Sequence, residues 1–135
     1  MKSRDTLIRL RRFQADEKRR KVAQIEMMIA DFARMAADLD REIGQEEQRA
    51  GISDPAHFAY PTYARAAAQR RDNIRRSAED LDVQLAAAKA ALAEAFEELK
   101  KVEILDDRER TSERAAENAR DQASMDAIGL GRARA

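Results

Sequence analysis

Apolar residues in the first half of the chain fall at Val22, Ile25, Ile29, Phe32, Ala36, Leu39 and Ile43, in steps that alternate three and four. A step averaging 3.5 residues keeps side chains on one face of an α-helix that packs along a partner, and its persistence marks a coiled-coil seam. The alternation extends back through Lys18, Ala15, Arg11 and Ile8 and forward to Glu46 and Ala50, and nothing stops a helix before Gly51. A second stripe follows at Ala67, Arg71, Ile74, Ala78, Leu81, Leu85, Ala88, Leu92, Ala95, Leu99 and Val102. The pattern predicts two long helices, about 4–50 and 62–110.

The segment between them reads GISDPAHFAYPTY. It holds both prolines and the only histidine. Asp54 before Pro55 has the form of an N-cap followed by proline at a first helical position, and Pro61 stops any turn formed there. A short irregular turn over 51–61 favours antiparallel neighbours. The fold class is therefore all-α, an antiparallel two-helix coiled-coil hairpin. With the turn centred near residue 56, Phe32 faces Leu81, Ile29 faces Leu85, Val22 faces Leu92 and Ile8 faces Leu105. At ~1.5 Å per residue the paired helices would extend on the order of 65–70 Å.

Charge tests this register independently. Residues 1–21 carry nine basic and three acidic groups, and their opposite, 91–111, carries four and seven. Residues 36–50 carry two basic and five acidic groups, and 62–76 carry five and one. Each block faces the opposite sign, the kind of flanking pattern that sets orientation in coiled coils. Exposed pairs are weak, at most ~1 kcal/mol each, so the pattern argues for orientation rather than stability.

The segment from Asp106 onward, DDRERTSERAAENARDQASMDAIGLGRARA, is polar nearly all round, with Met125, Ile128 and Leu130 isolated in it. It has no stretch of the first helix left to pair with. The expected organisation is a hairpin over 1–111 and a polar tail over 112–135. That tail is either a frayed helix ending near Gly129 and Gly131 or disordered until bound.

Composition narrows the chemistry. Charged residues are 39% and aromatics 4%, with four Gly and two Pro. That balance suits a long helix or coiled coil rather than a mixed core. Basic and acidic residues both number 26, so no global charge draws the chain to nucleic acid or membrane. Without cysteine there is no disulfide and no thiolate metal site, which fits a reducing compartment. The opening MKSRDTLIRLRRF lacks the apolar core of a secretory signal, and no run approaches the ~18 apolar residues of a membrane span. The spacing of Gly44, Gly51, Gly129 and Gly131 makes no phosphate loop, one histidine makes no zinc site, and a thin hairpin offers no concave pocket. No enzyme activity and no cofactor are expected.

Candidate sites are therefore surfaces. The basic block Arg9, Arg11, Arg12, Arg19, Arg20 and Lys21 is either a solvated flank facing acidic helix 2 or a contact for an acidic partner; nucleic acid is the less favoured partner. Arg70, Arg71, Arg75 and Arg76 have the same two readings. Phe58, Tyr60 and Tyr63, with His57, concentrate aromatic surface at the turn: either Phe58 and Tyr63 cap the end of the seam, or the group forms a docking patch, since aromatics supply binding hot spots. His57 is read as a turn residue rather than a ligand. The seam proper is Val22, Ile25, Ile29, Phe32, Leu39, Ile43, Ile74, Leu81, Leu85, Leu92, Leu99 and Val102. It either only holds the hairpin together or also opens to take a third helix.

The pattern DTLIRLRRFQADEKRRKVAQIE, the chain length, and a single break near AGISDPAHFAYPTYARA before a second long helix resemble the FliJ family of bacterial flagellar type III export proteins. The resemblance covers residues 1–115 and leaves the tail after Arg114 unexplained. It implies an antiparallel two-helix rod similar to the rotor stalk of rotary ATPases. Such a protein acts as central stalk and activator of the hexameric export ATPase, contacts the membrane export gate and escorts export chaperones. It would be cytoplasmic, reaching the membrane at the flagellar base through those partners. Carried onto this sequence, Arg9, Arg11, Arg12, Arg19, Arg20 and Lys21 become candidate ATPase contacts. Phe58, Tyr60 and Tyr63 become candidate gate contacts. The stalk of a virulence type III system and a generic coiled-coil adaptor are the alternatives.

Overall fold

The computed structural model describes residues 2–134. It contains two α-helices, α1 (Lys2–Ala50) and α2 (Thr62–Arg134), paired as an antiparallel hairpin. Strong helix formers dominate both segments. Ion pairs at i,i+3 along α1 add local support: Arg19–Asp16 (3.4 Å), Arg34–Asp31 and Arg41–Asp38, all exposed, and Arg49–Glu46 (3.0 Å), whose carboxylate is partly covered. Each is worth only ~0.2–0.5 kcal/mol.

α1 ends on Gly51, the one glycine with positive φ (+68°) among the described residues. Its N–H donates to the Glu47 carbonyl (2.9 Å). This is the left-handed helix stop for which glycine has no steric penalty. α2 begins directly after Pro61, whose carbonyl accepts from Arg65 N–H (3.1 Å) as the first helical bond.

Contacts divide the chain into two compact units. One is Asp16–Ala93, the turn and the helical segments leading into and out of it. Its core is a small cluster of Leu39, Ile43, Tyr60, Ala64 and Ala67, with Ile52, Ala68 and Ile74 packed against it. Val22, Ile25, Ala36 and Leu81 are also buried, whereas Ile29, Phe32, Leu85 and Leu92 are half-covered. Ile29 and Phe32 line an open groove with Ala33, Ala36, Ala37 and Ala78. The other unit is formed by the flanking segments on either side. There Ile8 and Ala15 are buried, and Leu99 and Val102 are half-covered.

The second helix continues past the paired stretch ending near 110, so the tail takes the helical of its two readings. Gly129 and Gly131, read as stop signals, carry no positive φ, and the helix continues through them to Arg134. The segment is rich in Ala and Arg, with several Glu, which favour helix without tertiary support. Every side chain over 107–133 is exposed.

Candidate interaction surfaces

At the turn, Asp54 organises the backbone. Its carboxylate accepts from Ala56 N–H (2.9 Å) and its carbonyl from His57 N–H (3.0 Å). The Tyr60 N–H then donates to the His57 carbonyl (3.1 Å), and Ala59 N–H donates to His57 Nδ1 (3.0 Å). Short polar side chains bonding two residues ahead are the usual means of fixing such a turn. His57 is thus occupied in the turn.

The three turn aromatics do not form one patch. Tyr60 is buried in the core cluster, its hydroxyl donates to Glu47 (3.1 Å), and the Arg65 guanidinium lies 5.5 Å over its ring. Tyr63 is half in solvent, its hydroxyl donating to Glu42 (2.8 Å). Phe58 is 95% exposed, touched by the stacked His57 ring at 4.7 Å. Burial, and then the Glu47 hydrogen bond, raises the Tyr60 pKa above its ordinary value; the Glu42 hydrogen bond does the same first for Tyr63.

The charge blocks are engaged across the hairpin. Asp40 accepts from Arg71 (2.8 Å) and Arg75 (2.9 Å). The expected register put Asp40 opposite residue 72. The Asp40 hydrogen bond raises the Arg71 pKa against the opposing effect of burial. In the other unit, Arg12 Nε lies 4.0 Å from Glu103, and Arg110 pairs with Asp5 (3.4 Å).

Of the six basic candidates, Arg9 and Arg12 are exposed in the unit that holds the start of α1. Arg11 stands in the seam of that unit. It is half-buried, its Nη1 donates to Gln14 (3.2 Å), and its covered Nε has no hydrogen-bond partner. Arg19, Arg20 and Lys21 belong to the unit that holds the turn; all three are exposed, and Arg19 pairs with Asp16 of its own helix.

Sequence reasoning missed a cluster on Arg4. That guanidinium reaches Asp106 (3.4 Å), Glu109 and Glu113 (3.2 Å), while Arg110 Nε lies 2.9 Å from the second Asp106 oxygen. Burial of Arg4 works against its charge, but the Glu109 bond and the surrounding carboxylates outweigh it, and its pKa is raised. Asp106 is buried. The signal was present in the stripes: Arg4 stands one step before Ile8, and Asp106 one step after Val102. Seam positions had been given to opposite charges.

Among the described residues no group of His, Cys, Asp or Glu is placed to hold a metal ion. No helix there is long and apolar enough to cross a membrane. The sequence model of the flagellar FliJ protein family matches residues 1–134. The chain belongs to the FliJ family. It is accordingly a component of the flagellar export apparatus. The match runs through the exposed end of α2, so the segment after Arg114 lies within the family's extent. Comparison with curated proteins and with solved structures gives no match.

Proposed function

We propose that this FliJ-family protein is the central stalk and activator of the hexameric flagellar export ATPase, entering the ring with the hairpin end that carries its free termini. The observation that carries the reading is the pairing of a 49-residue helix with a 73-residue helix, bearing exposed guanidinium groups at Arg9 and Arg12. A stalk contributes geometry and charge, and the ATPase supplies the chemistry, so the chain itself is non-catalytic. Cations on α1 attract an acidic ring lining and speed encounter.

The turn is the end offered to the membrane export gate. Phe58 is its main contact, Tyr63 stands beside it, and Tyr60 supports both from within the core. Export chaperones are the remaining partners. The protein works in the cytoplasm at the flagellar base and reaches the membrane through these proteins.

The test is ATP hydrolysis by the export ATPase of the same organism, with and without this chain. Stimulation lost in a triple Arg9→Glu, Arg11→Glu, Arg12→Glu variant, with helicity retained, supports the reading. Unchanged hydrolysis with the unaltered chain sinks it.

A further inference from the structure

Three large apolar side chains near the start of α1 are not used by the seam. Leu7, Leu10 and Phe13 are 39%, 48% and 55% exposed. The seam of this segment runs through Ile8 and Ala15, both buried. Positions three apart on a helix are neighbours, so the three make one slanting strip beside the seam. Arg9 lies one turn before Phe13 and Arg12 flanks Arg9 at i+3; both are exposed. Scattered surface apolar residues need no explanation, but a contiguous set framed by charge marks an interaction surface.

We infer that this strip is the core of the contact with the ring, Phe13 and Leu10 entering an apolar pocket whose rim is acidic. The inference rests on the stalk reading above and adds where its binding energy resides. Aromatic and arginine side chains carry most interface hot spots, with polar groups around them excluding water. The cations fit an anionic rim. The Arg12–Glu103 pair is long (4.0 Å), with Arg12 exposed and Glu103 half-covered, so a partner carboxylate exchanges for Glu103 at little cost. A protein pocket suits the strip better than a lipid surface. A helix lying on a bilayer presents a broad apolar face with basic flanks, whereas Asp5, Asp16 and Glu17 bracket this one along α1.

The experiment titrates the full chain into the export ATPase and reads the concentration giving half-maximal stimulation, at low and at raised salt. Phe13→Ala should raise that concentration about tenfold or more, as for an interface hot spot, and Leu10→Ala should raise it by a smaller factor. Arg9→Ala should act mainly at low salt. Phe13→Ala should melt like the unaltered protein, because its ring is not in the core. Stimulation by the unaltered chain that ignores Phe13→Ala and Leu10→Ala overturns this inference and leaves the stalk reading standing. No stimulation at all overturns both. A Phe13→Ala defect confined to sedimentation with phosphatidylglycerol vesicles would assign the strip to lipid and overturn the pocket.

Discussion

Truncating Ile43 to alanine measures whether the turn-side cluster holds the hairpin. Ile43 is 6% exposed and packs with Leu39, Tyr60, Ala64 and Ala67. The substitution deletes three carbons at ~0.8 kcal/mol per buried CH₂, or about 2.4 kcal/mol of lost transfer energy. A cavity adds to this in a deep core. Here the layer is only two helices thick and water reaches the gap, so the added part is small. Alanine is also the better helix former, returning a few tenths of a kcal/mol. The expected loss is about 2–3 kcal/mol. Met27→Ala is the matched control on the same helix. That side chain is 68% exposed, and the change should stay within ~0.5 kcal/mol. Urea unfolding followed by circular dichroism gives both values, and amide exchange over 39–43 and 64–67 localises the loss. If Ile43→Ala cost under ~1 kcal/mol, or Met27→Ala cost as much, the packing argument would be wrong.

The raised pKa values of Tyr60 and Tyr63 predict a pH dependence. Unfolded phenols near pKa ~10 release protons before the folded ones, so the stabilisation is complete below ~10 and disappears as pH rises through the folded values. A double Tyr60→Phe, Tyr63→Phe variant should flatten that alkaline decline, and an unaltered decline would contradict the assignment. Arg4→Ala takes one partner from the buried Asp106 and should lower the melting temperature. Adding Asp106→Leu should recover much of it, since removing a whole buried pair costs less than orphaning one charge; a double variant worse than the single would refute this. Because 107–133 is wholly exposed, its amides should exchange far faster than those around Leu39 and Ile43 in the isolated protein. Equal protection would mean that something covers the segment. Phe58→Ala should leave urea unfolding unchanged and weaken binding to the gate's cytoplasmic domain, and undiminished binding would move the gate contact elsewhere.

The hairpin was readable because one physical signal, the 3.5-residue stripe, repeats across both helices and meets matching charge across the turn. Asp40 with Arg71 lies one position from the expected register. The turn was less readable. Phe58, Tyr60 and Tyr63 lie within six positions of one another, and their clustering left open a cap on the seam or a docking patch. Which ring enters the core depends on the backbone path that Asp54 and His57 impose, and that path turns Tyr60 inward and Phe58 outward. At the other end, apolar periodicity was the guide. A seam position filled by Asp106 therefore read as the end of the stripe rather than as an ion pair with Arg4. The tail left two readings, frayed helix or disorder, for a related reason. An exposed segment without a partner offers no periodic signal, and its helix rests on local propensity.

The most direct test of the account is photo-crosslinking in flagellated cells, with the reactive group placed at position 12 in one strain and at position 58 in another. Adducts of position 12 with the export ATPase and of position 58 with the membrane export gate are the predicted result. Exchange of the two partners, or an ATPase adduct from neither position, would contradict a stalk that enters the ring by its free termini.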